Sequence, residues 1–362
     1  MKILLIAGAR PNFMKIAPIG RVLRGRSEEI EYKIVHTGQH YDYEMSQAFF
    51  DDLEIPKPDF FLDAGSGSHA VQTARIMVGF EKVCIDEQPD IVVVVGDVNS
   101  TLACSVVAKK LKVKVAHVEA GLRSFDLDMP EEINRMVTDV LSDYFFVTEE
   151  SGKENLLKEG KSEGKIHLVG HVMIDNLLYQ RDRLLKEDTS SFSTYNLKNN
   201  LEKYAFLTLH RPSNVDDIEI FEGIAEALNE ISKDSPIIFP VHPRTKKMME
   251  EFDIKLSENI HLLAPLGFRE ALFIWKDAAV VLTDSGGLQE ETTALGVPCL
   301  TIRENTERPI TIVMGSNTLV GNKKENILKH FHDVMENGKE GRVPPLWDGK
   351  AAERIVEILL SG

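Results

Sequence analysis

The segment Asp90-Ile-Val-Val-Val-Val-Gly-Asp97 constrains the fold more than any other part of the 362-residue chain. It is β-branched at every position of the strand it predicts, so both faces of that strand need an apolar cover. A strand buried on both faces belongs in a parallel α/β sheet with helices on either side. Shorter runs of the same kind recur along the first half: Lys2-Ile-Leu-Leu-Ile-Ala-Gly8, Tyr32-Lys-Ile-Val-His-Thr-Gly38, and residues 113–118, 144–148 and 166–170. The stretches between them are long enough for crossover helices, which predicts an open, mostly parallel sheet. Residues 180–203 are rich in Lys, Glu, Asn, Ser and Thr and mark a domain boundary. The alternation resumes over 204–210, 236–242, 259–266, 278–283 and 297–302. A helix starts at Ser285 and an amphipathic one covers 351–360. The expectation is α/β: two Rossmann-like domains, residues 1–175 and 200–345, with a central cleft for a ligand.

Composition narrows the function. Forty-two Lys and Arg against 57 Asp and Glu leave a formal net charge of −15, which argues against nonspecific binding to nucleic acid or an anionic membrane. No apolar run approaches the length of a membrane span. The first strand is followed at once by a polar Gly-Ala-Arg-Pro-Asn turn, unlike a secretory leader, so a cytoplasmic protein is expected. Cys84, Cys104 and Cys299 lie far apart and read as buried thiols in a reducing compartment. No His-Glu-x-x-His, dinucleotide fingerprint or phosphate-binding loop ending in Gly-Lys-Ser/Thr occurs, so neither a metal nor a redox cofactor is expected.

Polar residues collect where the predicted strands end. Arg10 and Lys15 follow the first strand, Asp97 ends the valine-rich one, and His117 and Glu119 close the next. In the second half, His210 and Arg211, His242 and Arg244, and Asp284-Ser-Gly-Gly-Leu-Gln-Glu-Glu291 follow strands in turn. The carboxyl edge of such a sheet is where ligands bind. Each residue also has a structural reading. Asp97 could cap the helix after it or orient Thr101, Ser285 could be a plain N-cap, His117 a satisfied core histidine, and Glu119 part of a salt-bridged turn. Glu131 and Glu132, after Pro130, could simply be first-turn charge. Taken together, Asp97, Glu119 and Glu131 supply carboxylates able to move a proton, while Arg10, Lys15, Arg135, His210, Ser285 and Arg308 supply cations or donors for a pyrophosphate. The amides of Gly286 and Gly287 suit a phosphate. A phosphorylated sugar fits, with transfer, elimination and epimerisation all open.

In Gly8-Ala-Arg-Pro-Asn-Phe-Met-Lys15, Thr37-Gly-Gln-His40, Val95-Gly-Asp97, His117-Val-Glu-Ala-Gly-Leu-Arg123, Pro130-Glu-Glu-Ile-Asn-Arg135, Leu209-His-Arg211, Thr283-Asp-Ser-Gly-Gly-Leu-Gln-Glu-Glu291 and Thr306-Glu-Arg-Pro309, the chain resembles the non-hydrolysing UDP-N-acetylglucosamine 2-epimerase family over nearly all its length. The resemblance implies a fold like that of the GT-B glycosyltransferases, with the last segment, 346–362, packing back on the first domain. It implies reversible interconversion of UDP-GlcNAc and UDP-ManNAc, by anti elimination of UDP to 2-acetamidoglucal and re-addition, with no cofactor. It implies Asp97, Glu119 and Glu131 as acid/base groups and His210 assisting UDP departure. Arg10, Lys15 and His242 would contact phosphate or sugar, and Arg135 would orient Glu131 or the substrate. Phe268 would pack on uracil, Ser285 with Gly286 and Gly287 would bind diphosphate, Glu291 would accept from ribose hydroxyls, and Arg308 would complete the clamp. A cytoplasmic homodimer supplying cell-surface glycan synthesis is implied as well. Relatives that act on a diacetamido uronate, or that are glycosyltransferases, are the alternatives. Bacterial members often bind a second UDP-GlcNAc as an activator through the Gln-His segment and the His-Arg loop. This chain has Gln39, His40, His210, Arg211 and His242, but Ser213 replaces the expected Glu, which argues against activator binding.

Overall fold

The valine-rich run becomes the middle strand of a seven-stranded sheet. Its strands are β1 (Lys2–Ala7), β2 (Glu31–His36), β3 (Phe60–Phe61), β4 (Ile91–Val95), β5 (Lys114–Val118), β6 (Tyr144–Val147) and β7 (Ile166–Leu168). They lie in the order β3-β2-β1-β4-β5-β6-β7. Neighbours pair in parallel, for example Leu5 opposite Val93 and Val94 opposite His117. All five residues of β4 are buried, as the need for two apolar covers demands. One cover comes from the helices His69–Glu87 and Asn99–Lys110, whose Ile76, Phe80, Cys104 and Val107 pack with Leu4, Ile6, Val92 and Val94. Ser68 begins the first of these helices by accepting from Val71 N–H at 3.3 Å.

The computed structural model describes residues 1–38, 50 and 53–362 and divides into two units, residues 1–178 with 345–362, and residues 179–344. The second unit repeats the design. Its strands are β8 (Ala205–Thr208), β9 (Ile237–Pro240), β10 (Ile260–Leu263), β11 (Val280–Thr283), β12 (Cys299–Thr301) and β13 (Asn317–Leu319). They run parallel in the order β10-β9-β8-β11-β12-β13. Leu207, Phe239, Leu282 and Leu300 form its core with Phe221, Ile224, Leu228 and Phe331 from its helices.

Both strand orders reverse direction once, between β1 and β4 in the first unit and between β8 and β11 in the second. At such a switch point two neighbouring strand-to-helix turns diverge and leave a crevice beyond the carboxyl ends of the strands. The helix Ala351–Ser361 belongs to the first unit, where it packs against Arg10–Arg24 and buries Ala351, Ala352, Ile355, Val356 and Leu359. Its first two N–H groups bond to Asp175, at 3.1 Å from Ala351 and 2.7 Å from Ala352. Among the described residues, no helix is long and apolar enough to cross a membrane.

Candidate active site

In the first unit the turns after β1, β4 and β5 carry the charged residues. Asn12 shapes the first turn, its side-chain oxygen accepting from Ala9 N–H at 2.9 Å and its amide donating to Val95 O at 3.0 Å. That ties the start of the helix Arg10–Arg24, which carries Arg10 and Lys15, to the end of β4. Gly96 follows at φ 67°, a left-handed turn that suits glycine, and leads to Asp97. Asp97 does not cap the helix after it. Its carboxylate takes a bond from Arg135 Nη2 at 2.5 Å, and its carbonyl accepts from Asn134 Nδ2 at 2.9 Å. Glu119, buried after β5, is ion-paired with Lys15 and has φ 73°, a conformation rare for a residue with a side chain. Asp97 and Glu119 are thus each matched to a cation, Arg135 for the first and Lys15 for the second.

The helix Pro130–Leu141 corrects one expectation. Arg135 pairs with Glu132, its neighbour at i+3, and with Asp97, not with Glu131. Glu132 is buried and accepts from Ser124 N–H at 3.0 Å and Phe125 N–H at 3.1 Å, so it ties down the preceding loop. Glu131 points to the exposed side at the helix start. His117, satisfied on both ring nitrogens, is the buried histidine of the structural reading, with Asp139 at 2.7 Å and Gly96 O at 2.8 Å.

In the second unit the switch point lies between His210 and Asp284. Asp284 is fully buried, and its carboxylate accepts from His210 N–H at 2.8 Å and Arg211 N–H at 2.7 Å. The His210 ring lies with Nδ1 2.8 Å from Asp284 Oδ1, which leaves Nε2 directed away from that partner. Burial opposes charge on Asp284, but the His210 bond and the backbone N–H groups outweigh it and hold the carboxyl below its ordinary range. Sequence reasoning gave Asp284 no role of its own; an Asp directly after an all-buried strand was the available signal.

The helix Gly286–Leu295 starts directly after. Ser285 occupies its N-cap position but makes no side-chain capping bond, so the plain-cap reading does not hold. A side chain at Gly286 or Gly287 would meet only open space, so this helix start is accessible. One turn on, Glu290 pairs with Arg308 Nε at 2.8 Å, and Glu291 is partly buried. Burial, and then the charge of Glu290, push the Glu291 carboxyl up to about 8. His242 caps the helix Pro243–Glu251, its Nδ1 accepting from Arg244 N–H at 3.2 Å, and its ring centroid is 5.5 Å from that of His210. Phe268 begins the helix Phe268–Trp275 and is partly exposed. Gln39 and His40 lie outside the described residues. Among the described residues no group of His, Cys, Asp and Glu is arranged to hold a metal ion.

Two parallel sheets of this order, with cation-paired carboxylates on one and an open helix start beside a histidine–aspartate pair on the other, are the Rossmann-like units of the GT-B class of fold. A sequence profile described as UDP-N-acetylglucosamine 2-epimerase matches residues 23–360, and the chain belongs to that family. It is 45% identical over the whole of both chains to the UDP-N-acetylglucosamine 2-epimerase of Methanocaldococcus jannaschii. The crystal structure of that relative in complex with UDP-GlcNAc and UDP matches with a TM-score of 0.86 over all of both chains. The Neisseria meningitidis UDP-GlcNAc 2-epimerase bound to UDP-GlcNAc, 31% identical, matches with a TM-score of 0.88, again over all of both chains. The UDP-2,3-diacetamido-2,3-dideoxy-D-glucuronate 2-epimerase of Pseudomonas aeruginosa is 39% identical over 99% of each chain.

Proposed function

We propose that this protein interconverts UDP-GlcNAc and UDP-ManNAc by inversion at C2. The observation that carries the reading is 45% identity over the full chain to an epimerase whose structure holds UDP-GlcNAc and UDP. The residue chemistry agrees with it. A carboxylate from the set Asp97, Glu119 and Glu131 takes the C2 proton while the C1–O bond to UDP breaks, giving 2-acetamidoglucal and UDP. UDP then adds back at C1 as C2 is protonated from the opposite face. The hydrogen count is unchanged and no oxidation occurs, so the reaction needs no redox partner. His210, oriented through Nδ1 by Asp284, has Nε2 to offer the departing β-phosphate oxygen. Ser285 and the amides of Gly286 and Gly287 receive the diphosphate at a helix start. Glu291 accepts from the ribose hydroxyls, Phe268 packs on the uracil, His242 and Arg308 balance phosphate charge, and Arg10 and Lys15 contact the sugar. Arg135 holds Asp97 in place. We further propose a cytoplasmic homodimer that feeds cell-surface glycan synthesis.

The test is proton NMR of the purified protein with UDP-GlcNAc in deuterated water and no added cofactor. UDP-ManNAc carrying deuterium at C2, without accumulation of free ManNAc, is the expected result. Free ManNAc released as fast as UDP would refute the reversible reaction. The Pseudomonas relative supports a second reading, in which the sugar carries a 3-acetamido group and a C6 carboxylate. Exchange with that substrate and none with UDP-GlcNAc would favour it.

A further inference from the structure

Asp139 sits behind the proposed acid/base groups. It is fully buried on the helix Pro130–Leu141, one helical turn beyond Arg135. One carboxylate oxygen accepts from His117 Nδ1 at 2.7 Å. The other accepts from Gly121 N–H at 3.1 Å and lies 2.8 Å from Arg123 Nη1. Arg123 is nearly as buried, and its remaining fork grips Glu159 through Nε at 2.8 Å and Nη2 at 2.7 Å. Burial works against charge on Asp139, but His117 and Arg123 outweigh it and hold the carboxyl below its ordinary range.

Burying this many polar groups is a poor way to gain stability, since apolar side chains of similar volume commonly do as well or better. What the network does uniquely is join two turns. His117 donates through Nε2 to Gly96 O at 2.8 Å, directly before Asp97. Asp139 itself receives Gly121 N–H, two residues after Glu119. Glu119 and Ala120 are anchored from the other side, both N–H groups donating to Phe146 O at 3.0 and 3.1 Å. Glu119 at φ 73° and Gly121 at φ 77° are left-handed in close succession. A side chain in that region persists only where its surroundings over-determine it, and the bonds to Phe146 and Asp139 bracket the turn. Gly121 has a further reason to be glycine, because a Cβ there would run into the backbone of Gly152.

We infer that Asp139, through His117 and Arg123, is a positioning residue for the epimerase reaction: it sets the two turns that aim Asp97 and Glu119 at the sugar. The inference rests on the assignment of those two carboxylates to proton transfer. Asp139 touches no substrate and passes no proton to it. Its loss misaims the carboxylates and leaves the second unit's His210, Ser285 and Glu291 as they are.

The test compares wild type with Asp139→Asn and Arg123→Lys, measuring kcat and KM for UDP-GlcNAc, UDP affinity by calorimetry, and thermal unfolding. Misplacement on this scale should lower kcat of Asp139→Asn by about 100-fold while KM and UDP affinity stay within about threefold. Arg123→Lys keeps the charge beside Asp139 but loses the fork, and should lower kcat by about tenfold with the same split. A purely structural role would lower UDP affinity and kcat together, or leave kcat per folded molecule unchanged, and either result overturns the inference. If Asp139→Asn does not fold, Arg123→Lys decides by the same criterion. Wild-type protein that turns over neither UDP-GlcNAc nor the diacetamido uronate would sink the functional reading and this inference with it. Active wild type with unaltered variants would sink the inference alone.

Discussion

Asp97→Asn changes one atom, keeps the volume, and removes the charge that faces Arg135. The amide cannot take a proton from C2, so turnover should fall by about 10³-fold or more, within the range seen when a catalytic acid/base group is lost. UDP affinity, assigned to residues of the second unit, should stay within about twofold, measured by calorimetry beside steady-state rates. Normal turnover by Asp97→Asn would remove it from the acid/base set. Glu291 gives a prediction of opposite kind. Its carboxyl sits at about 8, so at pH 7 most molecules hold it protonated. If the ribose hydroxyls are bound by the ionised form, UDP affinity rises as pH climbs through 8, by about tenfold between pH 7 and pH 9. Glu291→Gln should flatten that rise, and a titration of UDP affinity against pH that is flat in wild type would refute the ribose role. Most residues at the strand ends were legible in the sequence because their type alone narrows the chemistry. The partner of Arg135 was not. Glu131 and Glu132 are adjacent first-turn acids, and it is the N–H groups of Ser124 and Phe125, together with Arg135, that hold Glu132 inward. Asp284 was hidden for a similar reason: its meaning lies in His210, 74 residues away in the chain.

Among the elements, every described strand but β3 and β13 was readable, three-residue β7 and β12 included because longer apolar runs enclose them. β4 announces itself because five consecutive residues need burial on both faces. β3, two residues long, and β13, only Asn317–Leu319, carry too few side chains to show a period, and both lie at sheet edges where one neighbour suffices. Asp175 shows how a single residue can define an element boundary that no local pattern marks. It lies on the helix Val172–Leu184 yet caps the helix Ala351–Ser361, 176 residues further on. Burial pushes its carboxyl up to about 6, against the downward pull of the Ala352 and Ala351 N–H groups. The folded chain therefore binds this proton more tightly than the unfolded chain, whose Asp titrates near 3.8. The protonated group favours folding below that value, and the advantage disappears as pH rises through 6. Denaturant unfolding of wild type against Asp175→Asn should show the difference in stability moving against wild type by about 2 kcal/mol between pH 4 and pH 7. Parallel curves would mean that Asp175 titrates as it does in the unfolded chain.

For the molecule as a whole, the repeat of one strand order, with a single reversal in each unit, follows from the alternation of apolar runs and crossover segments. The return of residues 345–362 to the first unit does not. An amphipathic helix at the end of a chain shows that it has an apolar face and not which surface covers it; only the family resemblance pointed to the first domain. The structure gives the reason in packing: Ile355, Val356 and Leu359 are buried in the unit that begins at Met1. This divides the effects of mutation and ligand between the units. Ile355→Ala leaves a cavity in the first unit and should cost about 2–5 kcal/mol there, seen as a lower first-unit transition in scanning calorimetry. UDP, assigned to the helix start at Ser285 in residues 179–344, should stabilise the second unit by about 2.7 kcal/mol at a hundred times its dissociation constant. The UDP-induced shift should therefore survive Ile355→Ala at full size, although that substitution lies in the same chain and lowers the other transition. A shift that vanishes in the variant would place the nucleotide's main contacts in the first unit and would overturn the division of labour between carboxylates on one sheet and diphosphate binding on the other.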